Sequence, residues 1–122
     1  GVIFLKGAVS PHHPKTLRAS AGSLFRLPVI HGMEPDLARA ALVQRRLDIY
    51  AAAPRGGKLL KDVDLTRRCA LVLGSEGRGV SERLRSAALD LRIPTTGVES
   101  LNVGVAAGVL LYEAHRQRTL KG

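Results

Sequence analysis

The stretch from Ile93 to Tyr112, Ile-Pro-Thr-Thr-Gly-Val-Glu-Ser-Leu-Asn-Val-Gly-Val-Ala-Ala-Gly-Val-Leu-Leu-Tyr, constrains this chain more than any other. It reads as the end of a strand, a polar loop and then a helix. From Leu101 to Tyr112 the helix is apolar on nearly every side, and a helix without a polar face belongs inside a protein rather than on its surface. Gly104, Ala106, Ala107 and Gly108 let other backbones approach, although each glycine costs about 1 kcal/mol of helix propensity against alanine. Dense tertiary packing is expected to offset that cost, and Ser100 is expected to cap the helix. The polar loop residues Thr95, Thr96, Glu99, Ser100 and Asn102 then meet the unpaired N–H groups of a buried helix start, a place suited to a ligand. A capped core helix with an ordinary loop fits the same residues.

The rest of the chain alternates in type. Strands are expected over 1–5, 27–30, 47–52, 69–73 and 89–93. Helices are expected over 15–24, 37–46 and 80–88, and from 101 to about 118. This alternation means an α/β fold with a mostly parallel sheet and helices on both faces. The continuous apolar run Cys69–Leu73 suits a strand covered on both sides. Acidic Glu34 and Asp36 stand at the positive end of the second helix, and His115, Arg116 and Arg118 suit the negative end of the last. Residues 54–58, Pro-Arg-Gly-Gly-Lys, read as a flexible basic loop. With 122 residues, 45% of them hydrophobic, one domain with a real core is expected. The chain opens inside an apolar strand, so truncation at the N-terminus is expected.

Cys69 is the one cysteine, which excludes an internal disulfide and a cysteine metal cluster. It reads as a buried structural thiol. No apolar run approaches the ~20 residues that span a bilayer, and no secretory signal opens the chain. A cytoplasmic protein without a membrane partner is the expectation.

The net charge is +9 and the isoelectric point about 10.8. That excess of base calls for an anionic partner, most simply nucleic acid; a solvated arginine-rich surface is the alternative. With two Phe, two Tyr and no Trp, base stacking on an aromatic platform is disfavoured. Lys15, Arg18 and Arg26 are the candidate RNA-phosphate contacts, because they cluster on and just after one expected helix. The pairs Arg45-Arg46 and Arg67-Arg68 are read as solvated. His12-His13 has no carboxylate or thiol company, so no metal site is expected.

A second stretch, Leu71-Val72-Leu73-Gly74-Ser75-Glu76-Gly77-Arg78-Gly79-Val80, runs from a buried strand through a glycine-rich turn into a helix. Ligands of open α/β sheets bind beyond the C-terminal ends of strands, and glycines let backbone approach them. The G-x-x-G-x-G spacing is neither the dinucleotide fingerprint nor a P-loop; a tight structural turn would read the same. Glu76 stands apart, because a carboxylate inside such a turn needs a partner. Ser75 and Ser100 read as hydrogen-bonding loop residues rather than nucleophiles.

Together, 71–80, Ile93-Pro94 and Val98-Glu99-Ser100-Leu101-Asn102-Val103 are far more specific than either stretch alone. Upstream, residues 13–28 read His-Pro-Lys-Thr-Leu-Arg-Ala-Ser-Ala-Gly-Ser-Leu-Phe-Arg-Leu-Pro. With these motifs the chain resembles the SpoU/TrmH branch of the SPOUT RNA methyltransferases, from about Val2 to Arg118. The resemblance implies methyl transfer from S-adenosylmethionine to a ribose 2′-hydroxyl of tRNA or rRNA. It also implies a homodimer and an α/β-knot fold with a deep C-terminal trefoil knot. By motif matching, Gly74, Ser75, Gly77, Ile93, Leu101 and Val103 would hold the cofactor, and Glu76, Ser100 and Asn102 would line the catalytic centre. The family's first motif, Asn-x-Gly followed by a helical Arg that activates the hydroxyl, would stand upstream of Gly1. The expectation is that residues 1–122 bind cofactor but transfer methyl groups poorly, and that the upstream segment restores transfer by about a hundredfold or more. The rival reading is a non-catalytic RNA-binding module that keeps the knotted fold.

Overall fold

Apolar runs separated by helical segments give this chain two parallel sheets. The computed structural model describes residues 1–8, 26–74, 80–97 and 101–121, with Lys121 described by its backbone alone. In chain order come β1 (Val2–Leu5), β2 (Val29–Met33), α1 (Pro35–Gln44), β3 (Asp48–Ala52), β4 (Lys58–Leu59), a 3-10 turn (Leu60–Asp62), β5 (Cys69–Val72), α2 (Glu82–Arg85), β6 (Leu89–Arg92) and α3 (Val103–Lys121). β1 pairs with β2, and the other strands form a four-stranded sheet in the order β4-β6-β3-β5. Every pairing is parallel.

Register decides what each face buries. Tyr50 lies beside Leu71 and Leu89, and Ala52 beside Leu91, so these side chains share a face. There Tyr50 and Leu91 pack with Leu110 of α3 and with Leu60, Val63 and Leu65 from the segment after β4. Leu65, Leu91 and Leu110 are fully buried, each contributing about 1.5–3 kcal/mol of burial free energy. On the opposite face Ile49 and Ala51 are buried, as are Ala38 of α1 and Leu84 of α2. α1 packs against α2, and Arg83 reaches Asp36 at 3.4 Å. That ion pair is exposed at both ends, so packing rather than charge joins the two helices.

α3 is fastened at its far end by side chains that imitate peptide groups. Gln117 Oε1 accepts from the Leu65 N–H at 2.7 Å, and Gln117 Nε2 donates to the Val63 carbonyl at 3.0 Å. Arg118 donates to the carbonyls of Leu65 and Arg67 at 3.0 and 2.9 Å. These bonds hold the C-terminal end of α3 beside the residues that lead into β5, at the edge where the strands begin. A helix of 19 residues spans about 28 Å at 1.5 Å per residue. Its first turn therefore lies towards the opposite edge, where the strands end.

α1 ends in a Schellman motif. The Leu47 N–H donates to the Leu42 carbonyl at 3.1 Å and the Arg46 N–H to the Val43 carbonyl at 3.0 Å. Arg46 takes the left-handed position with φ 57, where glycine is the usual residue, at a strain cost on the order of 1 kcal/mol.

Several expectations shift. The helix expected over 80–88 is the single turn Glu82–Arg85; the Ser86 hydroxyl bonds back to the Arg83 carbonyl and competes with the helical backbone. The strand expected at 27–30 begins after Pro28, which has no N–H for a ladder, and runs on to Met33. β4 starts at Lys58, the last residue of the stretch that reads as a flexible basic loop, and two residues give no periodicity to read. α3 begins at Val103, so its cap is Asn102 and not Ser100: Asn102 Oδ1 accepts from Gly104 N–H at 2.8 Å and Val105 N–H at 3.3 Å. Nor is α3 buried all round. Ala106 and Leu110 are inside, but Val105, Leu111 and Tyr112 are 53%, 62% and 68% exposed, because the sheet covers one side of the helix. The helix expected over 15–24 lies outside the described residues.

Candidate functional site

Parallel strands bring their C-terminal ends to one edge. Gly74 follows β5 by two residues, and Ile93 follows β6 directly. β3 lies between these strands, so the two exits stand about two strand spacings, roughly 10 Å, apart. Both residues are partly buried, and Ile93 packs against the core cluster. The antiparallel run of α3 brings Leu101, Asn102 and Val103 towards the same edge. Five of the nine positions expected at the cofactor and catalytic centre are thus gathered by topology: Gly74, Ile93, Leu101, Asn102 and Val103. Ser75, Glu76, Gly77 and Ser100 lie outside the described residues. So do Lys15 and Arg18, while Arg26 is exposed just ahead of β2.

The start of α3 is built around one side chain. Asn102 Oδ1 takes the N–H groups of the second and third helical residues, and a Cβ on Gly104 would stand 3.2 Å from that oxygen. Gly104 therefore gives the capping amide its room. The Thr95–Gly97 loop between β6 and α3 is exposed, with Gly97 at φ 79. Beside it a cavity of about 380 Å³ is lined by Leu59, Leu60, Lys61, Pro94 and Glu113. Hydrogen bonds from Arg116 hold the Glu113 carboxyl below the usual carboxylate range, so it stays ionised and paired with Arg116 at neutral pH, with Lys61 on the same cavity wall. One donor at this edge is unspent: Nε of Arg92, next to Ile93, is buried without a hydrogen-bond partner. A ligand offering carboxylate or hydroxyl oxygens suits that donor.

Away from this edge the chemistry is quieter. Burial pushes the Cys69 thiol up, which keeps it a neutral packing group rather than a nucleophile. Among the described residues no group of three His, Cys, Asp or Glu is arranged to hold a metal ion. No helix among them is long and apolar enough to cross a membrane. A cavity of about 250 Å³ at the opposite edge is lined by Asp48, Tyr50, Lys58, Asp62 and Arg67, among others. Sequence reasoning missed the Asn102 cap and the Gln117–Arg118 clamp. An asparagine directly before an apolar helical run was the available signal for the first. Nothing local signals the second, whose partners lie more than fifty positions away.

Comparison with known proteins gives a consistent picture. The family model described as "SpoU rRNA Methylase family" matches residues 1–112. An uncharacterized tRNA/rRNA methyltransferase of Synechocystis is 37% identical over 122 positions, which cover 97% of this chain and 44% of that protein. A 23S rRNA (guanosine-2'-O-)-methyltransferase of Xylella fastidiosa is 46% identical over 108 positions, 84% of this chain and 42% of that one. The SpoU methyltransferase AviRb from Streptomyces viridochromogenes, solved in complex with the cofactor AdoMet, superposes with a TM-score of 0.88 at 32% identity; the match covers 98% of this chain and 50% of that chain. The chain spans a little under half the length of the curated relatives it matches.

Proposed function

The chain belongs to the SpoU rRNA methylase family, and from that membership we propose that the whole protein transfers the methyl group of S-adenosylmethionine to a ribose 2′-hydroxyl of ribosomal or transfer RNA. The observation that carries this reading is the gathering of Gly74, Ile93 and the Asn102-capped start of α3 at one sheet edge. Backbone groups at Gly74 and Ile93, with Leu101, Val103 and the turn residues Ser75 and Gly77, would hold the cofactor. The unspent Arg92 donor would meet one of its oxygens. When bound, the cofactor supplies an electrophilic methyl group on a sulfonium that is already a good leaving group. The chain's own contribution is orientation and help in removing the hydroxyl proton. Glu76, Ser100 and Asn102 would stand around the ribose.

The finer architecture is read in the same way: helices covering both sheet faces, and a deep trefoil knot in the C-terminal half. What supports the knot is the place of β6 between β3 and β4, strands joined only by residues 53–57. That short link must cross β6, and Gly57 stands directly against Asp90. A homodimer is proposed as well. Its support is the exposed apolar side of α3, where Val105, Leu111 and Tyr112 meet solvent. The cytoplasm, where these RNAs are modified, is the proposed location.

Calorimetry tests the cofactor placement. Gly74→Val adds a branched side chain at the strand exit and is expected to abolish S-adenosylmethionine binding while leaving the circular dichroism spectrum unchanged. Equal affinity of variant and parent would remove the cofactor from this edge.

A further inference from the structure

Two arginine pairs that the sequence leaves to solvent come together in the fold. Arg45 and Arg46 close α1 just ahead of β3, and Arg67 and Arg68 stand just ahead of β5. β3 and β5 are parallel neighbours with Asp48 opposite Cys69, and the Asp48 N–H donates to the Arg68 carbonyl at 3.2 Å. The two pairs therefore flank adjacent strand starts, about 5 Å apart at the backbone. All four side chains are exposed. Asp48 holds Arg67 at 3.5 Å, while no described residue forms an ion pair with Arg45, Arg46 or Arg68. Among the described residues Arg45, Arg46 and Arg68 thus stand outside any ion pair at this edge, opposite the edge where Gly74 and Ile93 emerge, while Asp62 and Asp64 join Asp48 and Arg67 around the neighbouring cavity.

Arg46 adds an independent observation. It occupies the left-handed position of a Schellman motif, φ 57, where glycine would be unstrained. Its guanidinium makes no bond within the described fold that would offset the strain. An observed backbone outlier of this kind points to a demand on the side chain.

We propose that Arg45, Arg46, Arg67 and Arg68 form a phosphate-binding edge that grips the RNA backbone on the side of the sheet away from the methyl-transfer site. The proposal rests on the RNA reading above. Planar guanidinium forks match phosphate oxygens in pairs, and such contacts fix register and orientation without reading sequence. The two edges are separated by the length of β3, roughly 15 Å for five residues. A folded RNA is thus held at one edge and modified at the other.

The test is binding of an unmodified 23S rRNA transcript by the whole protein as a function of salt. Neutralising Arg45, Arg46 and Arg68 together to Gln is expected to reduce the slope of log affinity against log salt by about 2, since each phosphate contact contributes about 0.7–0.9. A control with Lys6→Gln and Arg83→Gln, which are paired with Glu34 and Asp36 elsewhere, is expected to keep the parental slope. Arg46→Gly separates function from structure: it should melt no lower than the parent yet bind RNA more weakly. An unchanged slope in the triple variant, or an equal loss in the control, overturns the proposal while leaving methyl transfer intact. A glycine variant that melts lower and binds RNA as the parent does also overturns it. A parent protein that binds no RNA overturns both this and the RNA reading.

Discussion

At Gly57 the backbone sits at φ 70, and a Cβ would lie 2.6 Å from the Asp90 Cβ and 2.7 Å from its carbonyl carbon. Conformation and space exclude a side chain together. Gly57→Ala should destabilise the protein by at least about 2 kcal/mol, because overpacking adds to left-handed strain; the urea midpoint measures it. At Asn102 the demand is chemical. Asn102→Ala should cost about 1 kcal/mol, as loss of a helix cap does, and should weaken cofactor binding, whereas Asn102→Asp keeps the cap and restores the stability. Glu113 gives a pH signature. Its folded pKa is lowered by Arg116, so the pair's stabilisation is present above the ordinary carboxylate pKa of about 4.3 and is lost as pH falls through the folded value. Carboxylate NMR titration should place Glu113 below that value, and Arg116→Gln should return it.

α3 shows what can be read from residues in order and what cannot. Its existence and the polar residues at its start were visible in the run from Leu101 to Tyr112, but the close backbone packing expected at Gly104 and Gly108 is not found: both are exposed, and a Cβ on Gly108 would meet nothing within 4 Å among the described residues. The parallel sheet was likewise legible from apolar runs spaced by helical stretches. The cap moved by two residues because Ser100 and Asn102 are both good capping types, and only the first helical turn decides between them. The exposed side was not legible, since composition cannot say that one sheet covers one side of a helix. Nor was the clamp, because Gln117 serves Val63 and Leu65 through contacts that only the fold creates. Gln117→Ala leaves a buried N–H and a buried carbonyl unpaired, costing about 1–3 kcal/mol. Hydrogen exchange should report it as lost protection at the Leu65 amide, with β3 unaffected.

Across the whole molecule the same helix has two sides: its buried side completes the core through Leu110, and its exposed side, with Leu111 and Tyr112, is the surface proposed for a partner. If that partner is a second copy, Leu111→Glu and Tyr112→Glu together should give a monomer by sedimentation while the fold persists. The parallel sheet sets the larger division of labour, with strand ends presenting the loops proposed for the cofactor and strand starts presenting arginine. Methyl transfer itself is the central claim. Its direct measurement is nucleoside mass spectrometry of 23S rRNA and tRNA transcripts after incubation of the whole protein with labelled S-adenosylmethionine. The account predicts label in a 2′-O-methylated nucleoside, lost in Gly74→Val. Label confined to a methylated base, or no label in either RNA, would contradict it.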